Sequence, residues 1–441
     1  MTVRRIIPSD PVTSESSTDP FALPSQRRYL LVNARVVEPL YSSVTDLTCV
    51  RLADGLIHSI GPHVSPQDGD TVINLQGKYL CPGLMDCHVH LAAVPNGQSF
   101  NLTADDVGVS LLRQPWVCEQ MIKRGFTTVR DTGGASLALK EAIEAGVFPG
   151  PRVISSGKAL SQTGGHGDVR SAHQCCSSGI LSTVVDGVAE CTRAARENLR
   201  TGADFIKIMA SGGVASPTDK LTDTQFTSGE VQTIVEVAES CGTYVTAHAY
   251  TPAAIRHAAD NGVRGIEHGN LLDRPTAKHM SKLGITLTPT LVTYEAMGMD
   301  RYKDFLPPAN QAKNKVVLEK GLEAMRIAHE EGVLICHGSD LLGPLQVEQS
   351  NEFTIRKRVL SDGEVLKGAT INAARLIGRD DLGQIKDGFV ADVLVLEKNP
   401  LEDVSVLSDW ETTVKTVVKE GRVLVSRWDG WLVDVRGAIT G

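Results

Sequence analysis

The pattern of hydrophobic and polar positions divides the chain into two kinds of sequence. Near both ends it is short and strand-like, as in YLLVNARVVEP and CVRLADGLIHSIGP early on and VKTVVKEGRVLVSR near the end. Apolar, β-rich runs broken by Asp-Gly and Gly-Lys turns are typical of β-hairpins. We therefore expect a small β-sandwich domain built from residues 28–85 and 385–441, with the middle of the chain inserted between its two halves.

Between residues 86 and 384, helical stretches such as SGEVQTIVEVAESCG alternate with short apolar runs such as FTTVRD, DFIKIMA, TYVTAHA, GIEHG, ITLTPT and VLICHGSD. A helix followed by a short buried strand, repeated, predicts parallel βα units. About eight such units fit into roughly 300 residues, so we predict an α/β fold with a (β/α)8 TIM barrel over residues 86–384. A doubly wound open sheet is the alternative, but its usual GxGxxG loop does not follow the first predicted strand.

Composition narrows the classes of partner. The 441 residues are 41% hydrophobic and 22% charged, and the formal net charge is −8. This charge gives no footprint for nucleic acid or an anionic membrane surface. No apolar stretch approaches the roughly 20 residues that span a bilayer. We therefore expect a small-molecule substrate, with neither nucleic acid nor membrane as a partner.

The start of the chain and its cysteines bear on location. Residues 1–27 lack the apolar core of a secretory signal and predict a flexible N-terminal arm. The nine cysteines are scattered and odd in number, which does not favour a disulfide framework. A reducing, cytoplasmic location is the expectation.

Titratable residues stand where the predicted strands end, which is where a barrel carries its chemistry. His88 and His90 are two residues apart on the first strand, so both side chains point to the same face. The residues at strand ends are, in chain order, His88, His90, Asp131, Lys207, His248, His268 and Asp340. The spacing of the histidines, Lys207 and Asp340 assigns them to strands 1, 4, 5, 6 and 8. Each alone has an ordinary structural explanation, but together they predict one site.

The residue types predict a metal site. Imidazole and carboxylate ligands suit zinc and other borderline divalent ions, and one ion needs three or four protein ligands. The set is too large for one ion and right for two. Lys207 fits such a site if carbon dioxide adds to its amine to give a carbamate, an anion that can bridge two metals. We therefore predict two divalent ions, Zn²⁺ foremost, with a carbamate on Lys207.

The motifs PGLMDCHVHL, IKIMASGG, AHAY, IEHG and HGSD resemble the metal signatures of the amidohydrolase superfamily, over about residues 28–435. With ALSQTGGHGD, the chain is most similar to the branch that holds imidazolonepropionase-like hydrolases, Xaa-Pro and Xaa-Arg dipeptidases and ochratoxinase. The resemblance implies that His88, His90 and Asp340 hold the more buried metal and that carboxylated Lys207 bridges both. It assigns the second metal to His248 and His268. Relatives are often assemblies of identical subunits, which implies a homo-oligomer.

Two further residues are candidates for substrate contact. His166 lies in the Gly-rich stretch TGGHGD after the third strand, where it either contacts substrate or caps a turn. Tyr250 follows His248 by two residues and shares its face, so its phenol could bind a carbonyl or carboxylate. Arg130–Asp131 resembles a family pair that braces the mouth, or forms an ordinary buried ion pair.

The predicted function is hydrolysis of an amide bond in a dipeptide-like or N-acyl amino acid substrate, ochratoxin-type compounds included. The resemblance implies attack by a metal-bridging hydroxide, with Asp340 as general base and then as acid toward the leaving amine. Cyclic amide or lactone hydrolysis is an alternative, as is metal-dependent decarboxylation, against which Lys207 argues. A non-catalytic binding scaffold is the alternative from outside enzymes.

Overall fold

The computed structural model describes residues 23–95, 107–171, 173–175, 179–216, 218–434 and 439–440. Most of the predicted N-terminal arm, residues 1–22, lies outside the described residues. In the remainder of the arm, the Gln26 side-chain amide donates to the Glu420 carbonyl oxygen at 2.8 Å.

Strands and helices alternate through the middle of the chain, whereas strands dominate near both ends. The strands are β1 (Arg28–Glu38), β2 (Ser43–Val44), β3 (Thr48–Ala53), β4 (Leu56–Gly61), β5 (Asp70–Asn74), β6 (Tyr79–Pro82), β7 (Leu84–Val89), β8 (Phe126–Asp131), β9 (Arg152–Ser155), β10 (Ala159–Ser161), β11 (Ser182–Val184), β12 (Ile206–Met209), β13 (Val245–Ala249), β14 (Gly265–His268), β15 (Thr286–Thr288), β16 (Val393–Leu396), β17 (Val414–Lys419), β18 (Arg422–Ser426) and β19 (Ile439–Thr440). The α-helices are α1 (Val107–Lys123), α2 (Leu137–Glu144), α3 (Gly187–Arg200), α4 (Ser228–Ser240), α5 (Pro252–Asp260), α6 (Arg274–Leu283), α7 (Leu291–Met297), α8 (Pro308–Glu330), α9 (Asn351–Arg356), α10 (Asp362–Gly368), α11 (Ile371–Leu376) and α12 (Trp410–Thr413).

Strands from both ends of the chain form one mixed sheet. Its order is β4-β3-β1-β6-β16-β17-β18-β19, and β2 and β5 also pair with β1. The two ends meet where β16 runs antiparallel to β6, with Leu394 opposite Cys81. Leu31, Val50 and Val395 belong to one buried cluster, so apolar side chains from both ends share a core. The sheet therefore draws on both sequence ranges predicted for the small β domain.

The strands between the two ends are parallel. They pair as β7-β8-β9 and as β11-β10-β12-β13-β14-β15, and helices separate many of them along the chain. Strand β7 and the four strands β12–β15 are each buried along their full length, as expected for strands covered on both faces. The mixed α/β content predicted from the sequence is confirmed.

The segment VLICHGSD, predicted as the eighth strand of the barrel, does not form a regular strand. Within residues 333–340 only Ile335 forms a ladder pair, with Leu287 of β15. The segment still bonds on both sides, because Cys336 N donates to Leu287 O at 2.8 Å and Cys87 N donates to His337 O at 2.8 Å. Beyond Ile335 the His337 N–H donates to the Gly368 carbonyl oxygen at 2.9 Å rather than to a neighbouring strand, and Asp340 then turns into the left-handed region, with φ 53°.

Among the helices that the structure describes, none is both long enough and apolar enough to cross a bilayer.

Arg152 of β9 ties the parallel strands to the mixed sheet. Its Nη1 atom lies 2.6 Å from Asp392 Oδ2, and its Nη2 atom lies 2.7 Å from Glu420 Oε1. Burial raises the pKa of Glu420, but Lys419 and Arg152 outweigh it and lower the value to about 2. One guanidinium therefore pairs with two carboxylates across the boundary between the two groups of strands.

We expect Arg152→Met to lower the free energy of unfolding at pH 7 by about 3 kcal/mol, the low end for breaking a buried pair, because Glu420 is partly exposed. The folded-state pKa of Glu420 is depressed, so its contribution is complete above the unfolded value of 4.5 and is lost as pH falls toward 2. The difference from wild type should therefore shrink between pH 4.5 and 2 in urea titrations. Exposed Arg196→Met is the control, and an equal loss there would contradict the assignment.

Candidate metal centre

His88 and His90 are held by their Nδ1 atoms at the carboxyl end of β7. His88 Nδ1 lies 2.7 Å from Glu267 Oε2, and His90 Nδ1 lies 2.9 Å from the Gly133 carbonyl oxygen. Because both partners accept hydrogen bonds, each Nδ1 donates, and Nε2 is the nitrogen left to bind a metal ion or a second proton. Both histidines are buried. This second hydrogen bond is typical of metal-binding histidines.

Asp340 meets both Nε2 atoms. Its Oδ1 lies 3.3 Å from His88 Nε2 and 3.1 Å from His90 Nε2. Three lone-pair atoms at these distances repel one another unless a proton or a metal ion lies between them. Burial lowers the pKa of His90, but the Asp340 carboxylate outweighs burial and raises it, which reflects the same demand for positive charge. Ligand atoms of all three residues lie within 4.8 Å of one another, a donor set that fits a divalent ion such as zinc.

Asp86 joins the two segments that carry these ligands. Its Oδ1 accepts from the backbone N–H groups of His88 and Ser339, both at 3.1 Å. Its Oδ2 accepts from the Ser339 hydroxyl at 2.6 Å and from the Gln349 amide at 2.9 Å. The Asp340 N–H donates to the His88 carbonyl oxygen at 2.8 Å, which fixes the left-handed turn. Aspartate tolerates this backbone region better than most residues.

The rings of His268 and His248 form a row of imidazoles with that of His88. The His268 ring centroid lies 4.9 Å from that of His88 and 4.5 Å from that of His248. His268 Nδ1 lies 3.9 Å from Asp340 Oδ2 and bonds to the Thr290 hydroxyl at 2.7 Å. His248 Nε2 lies 3.3 Å from the Gly212 carbonyl oxygen. The predicted ligands of the second metal therefore adjoin the group formed by His88, His90 and Asp340.

Lys207 is buried in β12, with 1% of its surface exposed. Burial lowers the pKa of its amine to about 8, although Glu267 and Asp340 act in the opposite direction. A fraction of the amine is therefore uncharged near neutral pH, and carbon dioxide adds only to an uncharged amine. In the ladder, Lys207 pairs with Thr246 of β13, two residues before His248.

The His166 ring is packed between the Gly213 backbone and the His248 ring. A Cβ placed on Gly213 would come within 2.0 Å of the His166 ring, so the ring rests on the Gly213 backbone. On its other side, the ring stacks on His248 at 4.2 Å between centroids. His166 Nδ1 lies 2.9 Å from the Ser216 hydroxyl, and burial lowers the pKa of the imidazole. His166 thus adjoins the row of imidazoles, as a substrate-contacting residue would.

Tyr250 reaches the site through a second tyrosine. Its hydroxyl lies 2.8 Å from that of Tyr294, whose hydroxyl lies 2.9 Å from His268 Nδ1. The Tyr250 ring packs edge-on against His248 at 4.8 Å. The phenol predicted to bind substrate is therefore hydrogen-bonded to Tyr294, and both tyrosines support His268.

Arg130 and Asp131 act separately. The Arg130 guanidinium pairs with Glu267, whereas Asp131 accepts from the backbone N–H groups of Leu91, Gly133 and Ala135. Asp131 therefore fixes the loop that supplies the Gly133 carbonyl to His90. The two side chains brace the site from different directions rather than forming an ion pair with each other.

Sequence reasoning missed Glu267, Tyr294 and the loop partners of His166. Glu267 is fully buried in β14, and although burial raises its pKa, Arg130 and His88 hold the value well below its usual range. A charged residue inside the apolar run GIEHG was the available signal. Ser216 and Tyr294 carry no spacing pattern that connects them to the ligands.

The sequence model of the amidohydrolase family matches residues 79–424, and the chain belongs to this family. An ochratoxinase from Aspergillus niger is 33% identical over 381 residues, which cover 81% of this chain and 78% of that protein. A prolidase crystallised with N-methylphosphonate-L-proline is 40% identical, with a TM-score of 0.87, and the match covers 91% of this chain and 100% of that one. A Xaa-Pro dipeptidase with bound methionine in the active site is 28% identical, with a TM-score of 0.82, over 90% of this chain and 99% of that one. Imidazolonepropionase is also among the similar proteins, so the predicted branch is confirmed.

Lys313 of α8 holds the loop beneath His166. Its Nζ contacts the carbonyl oxygens of Gly213 and Ser216, both at 3.1 Å, and that of Asp219 at 2.7 Å. Asp219 in turn accepts from the Ser216 hydroxyl that bonds to His166. One ammonium group therefore fixes the loop that positions the imidazole.

We expect Lys313→Met to loosen this loop, because hydrogen bonds from a charged donor stabilise by about 1.5–3 kcal/mol. Amide hydrogen exchange in a peptide covering the loop should accelerate about 10–100-fold. Lys315→Met on the same helix is the control, since that side chain is 78% exposed. Equal exchange in both variants would show that Lys313 does not hold the loop.

Proposed function

We propose that this protein is a binuclear metal-dependent amidohydrolase that cleaves an amide bond in a dipeptide-like or N-acyl amino acid substrate. The observation that carries the proposal is the meeting of His88 Nε2, His90 Nε2 and Asp340 Oδ1, with 3.3 Å and 3.1 Å between the nitrogens and the oxygen. The buried amine of Lys207 interacts electrostatically with Asp340, and the His268 ring packs against that of His88, so both are available as further ligands. Membership of the amidohydrolase family supports the hydrolytic chemistry.

The proposal includes a (β/α)8 barrel over residues 86–384 and a β-sandwich built from residues 28–85 and 385–441. Backbone bonds from residues 334–337 to Leu287 and Cys87 support closure on one side. The Asp204 N–H donates to the Ser155 carbonyl oxygen at 2.7 Å, which links β9 towards β12. In such a barrel the candidate ligands would share the mouth at the carboxyl ends of the strands.

We assign the more buried ion to His88, His90 and Asp340 and the second ion to His248 and His268, with carboxylated Lys207 between them. Zinc is the ion that this mixture of imidazole and carboxylate donors suits best. Ions bound there would lower the pKa of a water molecule and polarise a carbonyl oxygen.

Asp340 is the proposed proton carrier. Burial raises the pKa of its carboxyl group, but His88 and the neighbouring histidines hold it well below its usual range, so the group is ionised at neutral pH. The carboxylate accepts a proton from the water whose oxygen adds to the substrate carbonyl carbon. It then delivers that proton to the amine nitrogen as the carbon–nitrogen bond breaks.

His166 and Tyr250 are the proposed substrate contacts. His166 adjoins His248, and its Nδ1 is engaged by Ser216, which leaves Nε2 for a ligand. Tyr250 lies beside both His248 and His268. The similar prolidase holds a proline derivative and the similar dipeptidase holds methionine, and these relatives support an amino acid as the amine portion.

Metal content tests the binuclear centre. Protein purified with bicarbonate should contain about two ions per chain, and Lys207→Ala should lose at least one, because the bridging carbamate is removed. Elemental analysis measures both, with Lys315→Met as the control. One ion regardless of Lys207 would favour mononuclear chemistry such as decarboxylation. If the protein held no metal even after reconstitution, the proposed metal-dependent catalysis would be wrong.

Hydrolysis of paired substrates tests the specificity. We expect turnover of dipeptides and N-acyl amino acids, and His166→Gln should lower kcat/KM by up to about 10-fold, the effect of losing one neutral hydrogen bond from a substrate N–H to the Nε2 lone pair. The effect should be smaller on N-methylated analogues of the same substrates, which lack that N–H. Turnover confined to lactones, cyclic amides or aromatic acids would contradict the proposed substrate class.

A further inference from the structure

Glu267 occupies a fully buried position in β14, next to the candidate ligand His268. Its two carboxylate oxygens have different partners. Oε2 lies 2.7 Å from His88 Nδ1. Oε1 accepts from the Thr246 hydroxyl at 2.5 Å and from Arg130 Nη2. One side of the carboxylate is therefore reserved for His88, and the other is anchored.

The anchor is rigid. Arg130 is 1% exposed, and its guanidinium lies 4.8 Å from the Phe205 ring centroid, which packs against the face of the cation. Thr246 lies in β13, the strand that pairs with β14. The position of Glu267 Oε2 is consequently set by groups on two other strands.

We propose that Glu267 is a positioning residue that places the proton of His88 on Nδ1 and thereby reserves the Nε2 lone pair for a metal ion. This inference rests on the proposed metal centre. His88 Nε2 lies 3.3 Å from Asp340 Oδ1. Were the proton on Nε2, His88 would donate to Asp340, and the two would satisfy each other without an ion. Glu267 disfavours that arrangement because a carboxylate only accepts, so His88 keeps a proton on Nδ1 and would need a second proton to donate from Nε2.

His88 and His90 differ in the group that accepts from Nδ1. His90 Nδ1 is held by the neutral carbonyl of Gly133, whereas His88 Nδ1 is held by a full negative charge. A carboxylate partner also makes the imidazole a stronger ligand, and loss of such a partner typically costs 10–100-fold in metal affinity. His88 is therefore the histidine whose state depends on one removable side chain.

Glu267→Gln is the informative variant because the glutamine side-chain amide has one favoured orientation. Arg130 only donates, so the glutamine carbonyl oxygen must face Arg130 and the amide NH₂ must face His88. His88 Nδ1 then has to accept, and the proton moves to Nε2, where it points at Asp340. The substitution thus reverses the tautomer while changing the side-chain shape very little.

The test compares wild type, Glu267→Gln and Glu348→Gln as full-length proteins. Glu348 is a matched control, since it is buried and accepts from Arg301 and from the Tyr302 hydroxyl, at 2.8 Å for the latter. Cobalt titrations followed by visible absorption should show about 10–100-fold weaker binding in Glu267→Gln and no change in Glu348→Gln. Nitrogen-15 NMR of the metal-free proteins, with His88 assigned through His88→Asn, should show the proton on Nδ1 in wild type and on Nε2 in Glu267→Gln.

Circular dichroism checks that each variant folds, and Glu267→Asp provides a second route if the glutamine variant does not. Aspartate keeps the charge beside Arg130 but falls short of His88, so cobalt affinity should again fall. Cobalt affinity within threefold of wild type in a folded variant, or an unchanged His88 tautomer, would overturn the inference. If wild type itself bound no cobalt, the proposed metal centre would fail, while the NMR comparison would still decide whether Glu267 sets the tautomer.

Discussion

The arrangement of this site depends on one electrostatic conflict: two imidazole nitrogens and a carboxylate oxygen face one another at hydrogen-bond distance. His88 Nε2 and His90 Nε2 lie 3.3 Å and 3.1 Å from Asp340 Oδ1. Buried acceptors in such contact are stable only around positive charge. The surrounding groups maintain the conflict rather than relieve it, since Gly133 and Glu267 hold the Nδ1 atoms.

Support for the site comes from backbone and side chains on many different strands and loops. Asp86 bonds to backbone N–H groups on both ligand segments, and Asp131 fixes the loop after His90. Lys313 reaches from α8 to the loop beneath His166. A site built in this way is rigid because moving one ligand breaks bonds in several elements at once.

Much of this arrangement follows from local sequence. The run FTTVRD forms β8 over the residues predicted for it, because a β-rich run followed by polar residues is a strong local signal. His88 and His90 were predicted as a pair because strand geometry places residues two apart on one face. The buried acid Glu267 was less visible, since its partners Arg130 and Thr246 lie far from it in the sequence. Residues 333–340 were predicted as a strand because their apolar pattern is strand-like, but the turn at Asp340 follows from its bond to the His88 carbonyl, which no local pattern encodes.

The contact between His88 and Asp340 bears on how long the protein survives in a cell. His88 and Asp340 are separated by about 250 residues of chain, and an ion held by both would close that loop in the folded state alone. Binding to the folded form stabilises it by about 1.4 kcal/mol for each tenfold excess of ion over the dissociation constant. Scarcity of metal would then shorten the lifetime of the protein as well as its activity, because the unliganded chain opens more often to proteases and chaperones. The abundance of the protein would in this way follow the supply of its ion.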